Sequence, residues 1–368
     1  MVDAVGKALD RLLRTDARAI GEQERDVYVR LARERSGDIV LCGAGGLGRK
    51  IAAGLRANGV EPLAFADNAT ARQGTVVDGL RVLSPEDAAR EFRESAVFIV
   101  TIWGANSPHR FEHSRAQLAA LGCAVMVFPP LCWKYAESML PHYLQDLPHK
   151  VLEQKEEVRR AFDLWSDDVS RAEYVTQVRF RLTADFDGLA PPVKHPQYFP
   201  DDLYAWRDDE WMVDGGAGDG DSIRMLVQLH GDRFGHVLAL EPNPVNFLKL
   251  EATVAALAPS ARAKIDCRQV ASAESLGVML ATAAPTFIKL DAKGAEMEAL
   301  LGARETIRSH VPAIAVCVYY RQDHLWRVPL MLRELCDDYA FILRPHNEEG
   351  WNLVCYAVPR ARLKRGPV

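Results

Sequence analysis

Hydrophobic positions along the chain fall into two series of short apolar runs alternating with amphipathic stretches, divided by a charged, aromatic interval. Residues 1 to about 35 carry Val5, Leu9, Leu12 and Leu13 at helical spacing, which predicts a charged helical lead-in. GDIVLCGAGGLGRKIAAGL then reads as a buried strand, a glycine turn and a helix, with further strands expected at EPLAFAD, AVFIVTI and CAVMVFPP. The segment SPEDAAREF opens a helix that Ser84 can cap, with Pro85 in its first turn and Glu86 and Asp87 suiting its dipole. Residues 134–205 read as a helical connector and cap ending in PPVKHPQYFPDD, in which Gln177, Arg179 and Arg181 alternate as on a strand face. Beyond it, seven apolar runs between EWMVDG and LVCYAVP predict a seven-stranded sheet closed by a hairpin. The expected organisation is a lead-in at 1–35, a Rossmann-like domain at 36–133, a connector at 134–205 and a second Rossmann-like domain at 206–360. Strands alternating with helices imply parallel sheets that take ligands at the carboxyl ends of their strands.

Composition narrows the function classes. A chain of 368 residues suits two domains, and 48% hydrophobic with 26% charged residues is ordinary globular composition. The net charge of −5 provides no general grip on nucleic acid or anionic lipid. No apolar run approaches the ~18 residues that span a bilayer, and charges interrupt the first residues, unlike a signal peptide. The seven cysteines are scattered and never spaced CxxC, so neither a disulfide framework nor a structural zinc site is expected. A cytoplasmic protein with no metal, acting on a small molecule and compatible with a homo-oligomeric state, is the resulting expectation.

The richest constellation lies in the second half. Met212-Val213-Asp214 ends a strand, Gly216, Gly218 and Gly220 alternate through the turn around Ala217, and Asp221-Ser222 starts a helix. Such glycines let a ligand approach the backbone. Some twenty residues on, Glu241 ends the next strand before Pro242 and Asn243, where a carboxylate can accept both hydroxyls of a ribose. Asp214, Asp219 and Asp221 make the turn acidic, which disfavours a diphosphate and suits a ligand bearing a sulfonium and an ammonium, such as S-adenosylmethionine.

The segments QYFPDDLYAW, MVDGGAGDGDSIR, LALEPNP, FIKLDAKGAEMEALLGA and YYRQDHLWRVPLMLREL, with YAFILRPH and VCYAVP, occur in order over residues 195–358. In this the chain resembles the FkbM-type methyltransferases, a branch of the class I S-adenosylmethionine-dependent enzymes. The resemblance implies a seven-stranded class I sheet and transfer of a methyl group to an oxygen of a sugar or sugar-bearing acceptor. It places Asp214, Gly216 and Gly218 along the methionine part of the donor, Glu241 on its ribose, and Asp291 at the fourth strand tip near the transferring methyl. Glu296 would close the loop after Asp291. The chain departs from the family in having no aspartate after the third strand to read the adenine amino group, which leaves backbone groups of Ala271 and Ser272 as the fallback. Lys293 stands where the family carries an acidic residue, and Tyr319-Tyr320 replace an aromatic–histidine pair. Asp291 and His324 are therefore the two candidates for receiving the acceptor's proton, with His346 third.

The first glycine turn spaces Gly43, Gly45 and Gly48 between strand and helix, with Asp67 at the end of the next strand. It holds no acidic side chain and is followed by Arg49-Lys50, a pattern that accepts phosphate. LCGAGGLGRKIAAGL with FADN and GTVVDGLRVLSPED is similar to the N-terminal domains of sugar-nucleotide-modifying enzymes, which implies a nucleotide or nucleotide-sugar ligand. Two alternatives stay open: a nicotinamide-dependent oxidoreductase using this turn, and a non-catalytic scaffold with a degenerate methyltransferase domain.

Overall fold

The computed structural model describes residues 2–32, 38–105, 109–270, 279 and 284–364. The chain forms two compact units, one of residues 7–155 and 175–190, the other of residues 1–6, 156–174 and 191–368. The stretch 134–205 is thus divided between them.

The first unit is built on a six-stranded sheet of β1 (Asp38–Cys42), β2 (Ala64–Ala66), β3 (Val76–Val77), β4 (Leu80–Leu83), β5 (Ala96–Val100) and β6 (Ala124–Val127), in the order β3-β4-β2-β1-β5-β6. All pairings are parallel except β3–β4. β5 is apolar throughout, and β1 is apolar after Asp38, because both faces are covered, as parallel sheets require. The helix Pro85–Phe92 starts as its sequence dictates, with Ser84 Oγ accepting from the Asp87 N–H at 3.0 Å. The β3–β4 hairpin lies beyond the strands expected here. Its turn is Asp78-Gly79, with φ of +48° and +82°, and an Asp-Gly pair is a strong signal for such a turn.

In the second unit all seven apolar runs form strands: β7 (Trp211–Gly215), β8 (His236–Glu241), β9 (Ile265–Gln269), β10 (Phe287–Leu290), β11 (Ala313–Cys317), β12 (Tyr339–Pro345) and β13 (Leu353–Pro359). Their order is β12-β13-β11-β10-β7-β8-β9, parallel except for the antiparallel pairings of β13 with β11 and β12. This is the class I methyltransferase sheet. The strand order reverses between β7 and β10, so the ligand crevice of such a sheet lies at the carboxyl ends of those two strands.

One local expectation is overturned. Gln177, Arg179 and Arg181 lie on the helix Asp168–Thr183, not on a strand. Gln177 and Arg181 are four residues apart on one buried helix face, and Arg181 Nη1 donates to Gln177 Oε1 at 2.9 Å. Three alternating residues are too few to distinguish the two periods.

Candidate active site

The crevice between β7 and β10 is shaped first by glycine. Gly216, Gly218 and Gly220 all have positive φ, of +74°, +58° and +86°. A Cβ on Gly216 would stand 2.0 Å from the Asp291 carbonyl oxygen, so only glycine lets the turn pass the tip of β10. At Gly218 nothing lies within 4 Å of that position, and the turn opens outward.

Glu241 closes this cradle from the tip of β8. Its Oε2 accepts from the Gly218 N–H at 2.8 Å and its Oε1 from the Asn243 N–H at 2.9 Å. A carboxylate has about four acceptor sites, so these two bonds aim the group and leave capacity for a diol. Pro242 and Asn243 are exposed. The Asn243 side chain accepts from Val245 and Asn246 N–H and caps the helix Pro244–Ala255.

Several expected donor-binding residues turn inward. Asp214 is fully buried; its carboxylate accepts from the Ser222 hydroxyl and pairs with Lys289 Nζ at 2.8 Å. Lys289 also donates to the Gly216 carbonyl at 2.7 Å. Burial works against this ammonium's charge, but Asp214, Asp291 and Asp221 together outweigh it and raise the pKa above the usual lysine value. Ala217 packs among Ile223, Ala239, Leu250 and Val254, and Gly220 passes Thr253. Asp221 is exposed at the start of the helix Asp221–His230, while Asp219 pairs with Arg224 at 3.1 Å. Of the three acids that make the turn negative in sequence, Lys289 and Arg224 therefore offset two. The turn is correspondingly less negative than a count of its acids implies. Lys289 betrays itself in sequence as a lone charge within the apolar run FIKL, because a buried lysine requires a partner.

At the tip of β10, Asp291 Oδ2 accepts from the Tyr198 phenol at 2.8 Å. Tyr198 is almost wholly buried at a φ of +67°, and its ring lies 5.2 Å from Lys289 Nζ. Burial first, and then the Asp291 charge, push the Tyr198 and Tyr320 phenols well above their ordinary values, so both stay protonated as donors. Tyr319 and Tyr320 stack at 4.3 Å, with the Tyr319 phenol donating to that of Tyr320 at 2.9 Å.

The loop after Asp291 is held by Glu296, which accepts from the Ala292 N–H at 2.8 Å and the Gly294 N–H at 3.0 Å. Lys293 is exposed, and the cation that the Asp291 charge supports is Lys289. His324 is 2% exposed, with Nδ1 3.2 Å from Glu296 Oε2. His346 Nε2 lies 2.7 Å from the Tyr356 phenol and its Nδ1 3.2 Å from the His195 carbonyl. Burial pushes the His346 pKa down to about 4 despite that carbonyl. Both imidazoles are thus tied to neighbouring segments of the chain. Ala271 and Ser272 lie outside the described residues.

The first glycine turn shows comparable backbone shaping. Gly43 has φ +113°, and a Cβ on Gly48 would stand 1.9 Å from the Gly43 carbonyl oxygen, while Gly45 faces open space. Its charged groups are committed elsewhere. Asp67 accepts from Ala44 N–H, Ala69 N–H and Arg72 at 2.8–3.0 Å. Arg49 forms a bidentate pair with Asp78, and Lys50 Nζ lies 3.2 Å from His142 Nδ1.

Comparison with family models and with curated proteins returns no match. Among solved structures, the chain shares the fold of methyltransferase FkbM from Methylobacillus flagellatus KT, with a TM-score of 0.82 at 20% identity over 97% of this chain and 100% of that one. UDP-D-quinovosamine 4-dehydrogenase from Vibrio fischeri matches 25% of this chain and 77% of its own at 20% identity, with a TM-score of 0.22. Precorrin-6y C5,15-methyltransferase from Geobacter metallireducens GS-15 matches 42% and 82% at 17% identity, with a TM-score of 0.31. These last two likenesses are too slight to bear on the site. Fold and topology together define an α/β protein whose second unit is a class I methyltransferase fold.

Proposed function

We propose that the protein is an S-adenosylmethionine-dependent methyltransferase that methylates an oxygen of a carbohydrate-containing small molecule in the cytoplasm. The observation that carries the reading is the Glu241 carboxylate set against the Gly218 N–H, beside a turn open at Gly218, in a sheet of class I topology. These residues fit the donor: the cradle admits a ligand to the backbone, and Glu241 retains acceptor capacity for a ribose diol. When bound, S-adenosylmethionine would supply an electrophilic methyl on a sulfonium.

The chain's own contribution is positional. Gly216 brings the donor-side backbone against Asp291, and Tyr198 fixes that carboxylate beside the same turn. Asp291 is then the group available to take the acceptor hydroxyl's proton. His324, enclosed against Glu296, serves the loop instead. The first glycine turn is read as a scaffold, because Arg49 is paired with Asp78 and Lys50 lies against His142.

The test is the melting temperature of the full chain with S-adenosylmethionine, NAD or a UDP-sugar, since a ligand stabilises only the state that binds it. A shift with S-adenosylmethionine alone supports the reading. A shift with NAD alone replaces it with the oxidoreductase reading.

A further inference from the structure

The donor turn and the tip of β10 are joined by more than proximity. The Asp291 N–H donates to the Gly215 carbonyl at 2.9 Å, and its own carbonyl touches Gly216. The Asp291 carboxylate receives the Tyr198 phenol, the Tyr198 ring covers Lys289, and Lys289 is bound to Asp214 and the Gly216 carbonyl. The charges in this group do not cancel. Lys289 pairs with Asp214 at 2.8 Å, and Asp291, whose charge also acts on that ammonium, forms no ion pair among the described residues, so two carboxylates share one cation. One uncompensated negative charge therefore remains where the methionine end of a donor would lie.

Resting on the methyltransferase reading, we propose that Asp291, oriented by Tyr198, recognises the positive charge of the donor's sulfonium and so distinguishes S-adenosylmethionine from S-adenosylhomocysteine. The two ligands share every group except the methyl and its charge, so glycine backbone, together with a Glu241 carboxylate held to the ribose they have in common, discriminates little between them. A carboxylate close to the sulfur does not. Loss of that charge on methyl transfer removes the attraction, which favours release of the product. Tyr198 is a positioning residue here: its ring is occupied by Lys289, and its phenol sets the rotamer of Asp291.

The test is calorimetric titration of the full chain with S-adenosylmethionine and, separately, S-adenosylhomocysteine, which needs no acceptor. Asp291→Asn keeps the shape and the phenol contact but removes the charge. It is expected to shift the ratio of the two dissociation constants against S-adenosylmethionine by about tenfold, equivalent to ~1.4 kcal/mol, while S-adenosylhomocysteine affinity stays within about twofold. Tyr198→Phe, which preserves the buried ring, should move the ratio in the same direction by a smaller factor. It should add nothing in the Asp291→Asn background, because it acts through that carboxylate. If the unaltered protein binds neither ligand, the methyltransferase reading itself fails. If it binds both and the variants leave the ratio unchanged, or weaken both ligands equally, the sulfonium assignment alone is overturned.

Discussion

Lys289 and Asp214 face each other as register partners on β10 and β7, 2.8 Å apart and almost completely buried. Register brings their side chains to the same side of the sheet, and the Gly216 carbonyl completes the ammonium's shell. The pair thus lies beside the glycine turn proposed for the donor, and Lys289 holds that turn's backbone through the Gly216 carbonyl.

Removing one partner leaves a buried charge uncompensated. Lys289→Met is expected to lower stability by about 3–5 kcal/mol, measured by urea denaturation. A Lys289→Met/Asp214→Leu double variant should recover part of that loss. Equal stability of Lys289→Met and the unaltered protein would mean that the pair does not hold the turn.

The glycines of the turn differ in what they tolerate. Gly218→Ala meets open space and should cost only the ~1–2 kcal/mol of a left-handed L-residue. Gly216→Ala drives a methyl into the Asp291 carbonyl oxygen, so it should cost more and abolish donor binding. Denaturation midpoints and calorimetry of the two variants check the order.

Much of this was legible in sequence, for identifiable reasons. The seven strands of the second sheet appear as continuous apolar runs because a parallel sheet covered on both faces leaves no polar alternation. Glu241 was readable as an acidic strand tip downstream of a glycine turn. The charges of the turn alone do not reveal Lys289, because it lies on the neighbouring strand and meets Asp214 only through the register of the sheet. Tyr198 is 93 residues from Asp291, and no local pattern joins positions that only the fold brings together. His324 has the right chemistry for a base, but burial against Glu296 is a tertiary property.

His324→Ala should accordingly act on stability. Loss of a buried side chain packed against the Glu296 loop is expected to cost about 2–3 kcal/mol. The single-turnover rate of the folded variant should fall far less than for Asp291→Asn, where loss of a base costs ~100 to 10,000-fold. A larger rate loss in His324→Ala would restore the imidazole as the base.

Two partly buried histidines set a pH dependence. Burial, and for His142 also Lys50, pushes the pKa of His142 and His346 down to about 4. The unfolded chain takes up these protons near ~6.5, so it binds more protons than the folded chain between the two values. Stability therefore falls as pH drops from about 6.5 toward 4, by no more than ~3 kcal/mol per group. Urea midpoints across this range should decline less steeply in His346→Gln.

The most direct measurement of the central claim is the dissociation constant of S-adenosylmethionine for the full chain and for Glu241→Ala, by calorimetry. Binding at one site per chain is predicted. Loss of the charge-assisted bonds from the ribose, worth about 1.5–3 kcal/mol each, should weaken it by at least roughly tenfold. No binding to the unaltered protein, or equal affinity in the two proteins, would contradict the account.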